Sequence, residues 1–137
     1  MFTCGVPSMG QALSRSEARE VAYRLIFAGE SSDDALGLAL GDKFAPEPEL
    51  KYLRGVVTAV TDNLSTIDQK IAAHLQGWTI DRIRRTDLAA LRLALGEIEQ
   101  GTVPLPVIIN EAVQLAKKYG DQTSGTFVNG ILAKITE

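Results

Sequence analysis

The chain has 137 residues, 45% of them hydrophobic, with a formal net charge of −3 and a pI near 5.2. That length suits one domain with a real core, and the acidic balance argues against strong non-specific nucleic-acid binding, so any RNA site must be a local patch or be completed by a partner. The single cysteine, Cys4, excludes an internal disulfide and a Cys-rich zinc site.

No apolar run approaches the roughly 18 residues that span a membrane. The N-terminus MFTCGVPSMG lacks the basic start and apolar segment of a secretory signal, so a cytoplasmic location is expected. Residues 1–13 read as a flexible tail punctuated by Gly5, Pro7 and Gly10, and residues 14–137 as one helical domain.

Ser14 or Ser16 caps a first helix whose apolar face is Ala18, Val21, Ala22, Leu25 and Ile26, and Gly29 ends it. Ser32 caps a short second helix with Ala35, Leu36, Leu38, Ala39 and Leu40 inside and Gly41 as its stop. Pro46 and Pro48 open a third helix with a stripe from Leu50 through Leu53, Val56, Val57 and Val60 to Leu64. The segment Asn63 to Thr66 kinks it or separates a fourth, Ile67 to Leu75. After a break at Gly77, Thr79 or Thr86 caps a helix facing inward through Leu88, Leu91, Leu95 and Ile98. Pro106 takes the first position of a sixth helix that ends at Tyr119 and Gly120. Thr123 or Ser124 caps the last, with Phe127 or Val128, Ile131, Leu132 and Ile135 on its face. About seven helices with short connections predict an all-α fold, divided by Gly77 into two small helical groups.

The catalytic inventory is thin. The lone histidine, His74, has no metal-ligand spacing around it. No nucleophile elbow, phosphate loop or zinc-protease motif appears. Glu97 and Glu111 allow an acid/base reading, but pairing with Arg92 between neighbouring helices is favoured, because Arg prefers bidentate carboxylate partners. Arg82, Arg84 and Arg85 form the densest positive cluster, read first as a solvated face and second as one wall of an RNA or partner site. Arg15 and Arg19, four apart on one helix face, could grip adjacent phosphates. Phe27 and Phe127 are core residues or stacking platforms for unpaired bases, with Phe27 tipped toward exposure. For Asn129 and Gly130 a packing role is preferred over ligand contact: Gly lets a helix approach, and Asn bonds a neighbouring backbone.

Four segments in order, AREVAYRLIF (Ala18 to Phe27), LRLALGEI (Leu91 to Ile98), INEAVQLAK (Ile109 to Lys117) and FVNGIL (Phe127 to Leu132), resemble the NusB family of bacterial transcription antitermination factors. The resemblance covers nearly everything after residue 14. It implies two small packed helical bundles, no catalytic activity and no cofactor. It implies pairing with the small-subunit ribosomal protein NusE, binding of single-stranded boxA RNA in nascent transcripts, notably ribosomal RNA, and entry into an antitermination complex on RNA polymerase. By position, RNA contacts fall on Arg15, Arg19, Phe27, Thr123, Thr126 and Phe127. The NusE-facing positions fall on Asp87 and Arg85. Arg92, Glu97, Asn110, Glu111, Asn129 and Gly130 take structural places.

The family's arginine-rich opening is thinned to Arg15 and Arg19, the basic residue before the second aromatic is Thr126, and the aromatic before the motif's last Glu is Gly96. These departures predict weaker RNA binding alone and more reliance on the partner. Some family members form homodimers that cover the RNA face, and the sequence leaves monomer and homodimer equally open. Two other readings stay open. One is an interaction module that has lost RNA binding. The other is the helical part of a ribosomal-RNA methyltransferase, which the lack of a glycine-rich cofactor loop before Glu137 argues against.

Overall fold

The computed structural model describes residues 12–137, so Cys4 lies outside the described residues. These residues form seven α-helices: α1 (Arg15–Ala28), α2 (Asp33–Leu40), α3 (Glu47–Asp62), α4 (Leu64–Ala73), α5 (Arg85–Gln100), α6 (Leu105–Tyr119) and α7 (Gln122–Ile135). A single 3-10 turn, Ile80–Arg82, precedes α5. The expected all-α class is the observed one.

Helix α1 starts where local chemistry demands it. The Ser14 hydroxyl accepts from the Glu17 N–H while the Glu17 carboxylate accepts from the Ser14 N–H, a reciprocal capping box. It stops at Gly29, whose φ of +73° suits a residue without a side chain. Ser32 and Gly41 bound α2 as expected. That helix sits shallowly: Leu36 is buried, but Leu38, expected inside, is 84% exposed.

Three helix starts differ from the sequence reading. Helix α5 begins at Arg85 behind Arg84, and neither Thr79 nor Thr86 caps it with a side chain. Helix α7 begins at Gln122 because the Asp121 carboxylate accepts from the Ser124 N–H, so Thr123 and Ser124 lie inside its first turn and Phe127 in its second. Pro106 occupies the second position of α6, after Leu105.

Helix α5 is the axis of the fold. It packs against α1, α3, α4, α6 and α7. Its sequence explains this: Ala89, Ala90, Leu91, Leu93, Ala94, Leu95 and Gly96 are all buried, an apolar surface around most of the helix. Gly96 lets α3 approach closely, since a Cβ there would lie 2.5 Å from the Val60 Cγ2. The Gly77 boundary does not separate the packing units, because α4 precedes it and packs with α5 and α7. Leu13, assigned to the tail from sequence, belongs to the core: it is buried, and its N–H donates to the Phe44 carbonyl at 2.8 Å.

Candidate nucleic-acid interface

Arg19 is the first correction to the expected site. It projects from α1 into the core and is only 3% exposed. Its Nε donates to Glu97 Oε2 at 2.8 Å and its Nη2 to Glu97 Oε1 at 3.0 Å, a bidentate pair with a carboxylate that is 1% exposed. Glu111 of α6 adds a second carboxylate at 3.3 Å. The guanidinium also lies over the Tyr52 ring of α3, 5.4 Å from its centroid. Burial works against the Arg19 charge, but the Glu97 hydrogen bonds and the neighbouring negative charges outweigh it and raise the guanidinium pKa. Burial, and then the Glu97 charge, pushes the Tyr52 phenol up. Arg19 is thus closed off from phosphate and ties α1 to α5 and α6.

The expected pairing of Glu97 and Glu111 with Arg92 is therefore replaced. Arg92 and Glu97 are five positions apart on α5, about 140° around the helix. Glu97 faces α1, whereas Arg92 makes a bidentate pair with Asp68 of α4 at 2.9 and 2.8 Å.

Arg15 is half-exposed at the start of α1. It pairs with Glu49 at 3.0 Å and lies over Tyr52, 4.5 Å from the ring centroid. Phe27, at the other end of α1 and about 18 Å away by helix rise, is exposed. Arg85 covers it, with the guanidinium 4.7 Å from the ring centroid. Together with Leu88 and Arg92 they line a hollow of about 230 Å³.

The other expected residues converge elsewhere. Asp87 of α5 and Thr123 and Phe127 of α7 line a cleft of about 290 Å³ with Trp78, Arg82 and Arg84. Trp78 is 43% exposed and meets Phe127 with ring centroids 5.5 Å apart at 59°. Arg84 pairs with Asp121 at 3.1 Å and donates to the Ser124 hydroxyl at 3.3 Å. The Ser124 backbone N–H, and then Arg84, hold the Asp121 carboxyl below its ordinary value. Arg82 makes no ion pair among the described residues and is exposed. Asp87 is only 5% exposed, and its Oδ1 is buried with no hydrogen-bond partner among the described residues. Trp78 had no place in the sequence reading. The available signal was the chain's one tryptophan standing beside a turn glycine, Gly77, at φ +80°.

Asn129 and Gly130 also need correction. Both are exposed, and a Cβ at Gly130 would meet nothing within 4 Å. The inward face of α7 is Val128, Ile131 and Leu132, so no close helix approach occurs at Gly130. Asn110 is exposed as well, on α6. Thr126 is exposed, and its hydroxyl donates to the Gln122 carbonyl at 3.3 Å.

Residues 15–137 match the model of the NusB family. A transcription antitermination protein NusB from Oceanobacillus iheyensis is 40% identical over 90% of this chain and 98% of its own length. The chain belongs to the NusB family. The NusB of Ruminiclostridium cellulolyticum is 35% identical, over 94% of this chain and 90% of its own. The solved structure of T. maritima NusB superposes with a TM-score of 0.81 at 30% identity, covering 91% of this chain and 92% of that one. A structure of antitermination factors NusB and NusE in complex with dsRNA matches with a TM-score of 0.74 at 30% identity, covering 88% and 91%. Among the described residues no helix is long and apolar enough to cross a membrane.

Proposed function

We propose that this chain is a non-catalytic transcription antitermination factor that pairs with NusE and binds boxA-type single-stranded RNA in nascent transcripts, as part of an antitermination complex on cytoplasmic RNA polymerase. The observation that carries the RNA half is the pair of exposed Trp78 and half-buried Phe127 beside Arg82 and Arg84. Aromatic faces stack unpaired bases and guanidiniums hold phosphates. Thr123 and Thr126 flank this platform on α7. The Phe27–Arg85 pair forms a second platform on α1 and α5, with Arg15 a third, outlying contact. Arg85 is also the exposed candidate for NusE contact. Arg19 takes no part in RNA binding, which leaves the N-terminal patch thinner than its sequence suggests and puts more weight on the partner.

The test is fluorescence anisotropy of a labelled boxA RNA, titrated with this protein alone and with its cognate NusE across a salt series. Tighter binding by the pair than by either protein, weakening steeply with salt, is the expected result. A stable complex with NusE that never binds RNA would reduce the chain to a protein-interaction module.

A further inference from the structure

The negative charge of this chain is not evenly spread. Six of its 17 acidic residues lie between Glu30 and Glu49, against one basic residue, Lys43, and outside this stretch the chain is net positive. The stretch holds α2. Glu30, Asp34 and Asp42 are exposed and make no ion pair among the described residues, and Asp33 reaches only Arg54, at 3.7 Å. Within this acidic surface α2 turns an apolar residue outward. Leu36 is its buried residue, and Leu38, about 200° further round the helix, stands in solvent. Asp34, one turn before Leu38, shares its face. Gly37 beside it adds bare backbone, although a Cβ there would meet nothing within 4 Å. Glycine inside an eight-residue helix weakens it, and no packing among the described residues calls for it. Just beyond the helix Phe44 is exposed as well, held in place by its carbonyl, which accepts from the Leu13 N–H.

Leu38, Phe44 and the bare backbone at Gly37 leave apolar surface in water. What covers it follows from the charge around it. Carboxylates repel RNA and anionic lipid. No group of three or more metal-ligating side chains is present among the described residues. A second copy joined by a two-fold axis would set this acidic face against itself. A cationic protein is attracted instead, and helix backbone without a side chain admits another helix closely. We infer that the outer face of α2 docks a basic amphipathic helix of a protein partner other than NusE. Leu38 and Phe44 enter the apolar side of that helix, and Asp34 and Asp42 meet its lysines or arginines. None of the RNA or NusE candidates stands on α2, so this surface is independent of the RNA reading above.

The experiment follows the amide NMR shifts of the whole, isotope-labelled chain during titration with three synthetic peptides. The first is a leucine–lysine helix of about 15 residues with leucine at i, i+3, i+4 and i+7. The second has the same composition in scrambled order, and the third carries glutamate in place of lysine. The expected result is a set of shifts confined to α2 and residues 42–44 with the first peptide, an affinity about tenfold lower with the second, and no binding of the third. Leu38→Ser, at an exposed site, should leave the fold intact and lower the affinity for the first peptide by about tenfold. Equal binding of the ordered and scrambled peptides, or an unchanged affinity in Leu38→Ser, reduces the effect to bulk charge and overturns the inference. Shifts scattered away from α2, or no binding of the first peptide, overturn it too. Movement of the α2 amides with protein concentration alone assigns the face to a second copy, and their movement on addition of cognate NusE assigns it to NusE. Either result overturns the partner named here.

Discussion

The Arg19 network and the Trp78 cleft are built from the same residue types, arginine, carboxylate and aromatic ring, and they do opposite things. In the first, Arg19, Glu97 and Glu111 satisfy one another against Tyr52, in the core where α1, α3, α5 and α6 meet. In the second, Asp87 is buried but unpartnered, Trp78 is exposed over a half-buried Phe127, and Arg82 reaches into solvent. Charge and aromaticity alone do not mark a binding surface. The difference lies in whether each charged group already has its partner inside the chain; the Tyr52 hydroxyl, buried within the first network, is a neutral group that has none among the described residues. A closed network stabilises the fold, and an open one leaves interaction energy for a ligand.

Breaking the closed side should have the largest effect. Arg19→Ala leaves Glu97 buried without its cation, and urea denaturation should show a loss of about 3–5 kcal/mol. If stability falls by less than 1 kcal/mol while RNA affinity collapses, the assignment of Arg19 to the core is wrong. On the open side, Phe127→Ala should weaken RNA binding by about 1–3 kcal/mol for the stacked base. Circular dichroism should show the helices intact, and unchanged affinity would remove Phe127 from the interface. Smaller again is Arg82→Ala. It should flatten the log–log salt dependence of RNA binding by roughly one phosphate contact, with unfolding free energy within about 0.5 kcal/mol of the parent. An unchanged slope would place Arg82 off the RNA path.

The smallest effect concerns Glu20, which lies between these extremes, partly buried. Burial works to raise its carboxyl, but the hydrogen bonds from Lys118 and Tyr119 and the charges of Lys118 and Arg24 outweigh it and hold the pKa below 4.5. Tyr119 in turn stacks on Tyr23 at 4.9 Å. A depressed carboxyl stabilises the fold above its unfolded pKa, and that contribution is lost as pH falls through the folded one. Near-ultraviolet dichroism of the tyrosines should therefore stay flat from neutral pH to about 5 and change only below 4.5. A change centred above pH 5 would contradict this.

Much of the helix order was legible because it rests on local rules. Ser14, Ser32, Gly29 and Gly41 act within one turn of their own positions, so their roles can be read from neighbours in the chain. The exposure of Phe27 was legible for a similar reason, its place off the apolar stripe of α1. The partner of Glu97 was not, because Arg19 is 78 positions away and Arg92 only five. Sequence proximity favoured the wrong arginine, and helix rotation placed it on the wrong face. The start of α7 was missed because three capping residues, Asp121, Thr123 and Ser124, stand close together, and only the backbone geometry selects Asp121. Gly130 was misjudged because a helix glycine signals close approach only where a neighbouring helix is present. Here that neighbour is at Gly96 instead.

By itself the sequence determined an all-helical chain, its approximate helix boundaries and its membership of the NusB family, since periodicity, caps and motif spacing are local or one-dimensional properties. The tertiary structure alone decided which arginines are free and which carboxylate lacks a partner. Those outcomes depend on how α1, α4, α5 and α7 are turned toward one another, and that rotation is set by the packing of the whole core rather than by any one segment.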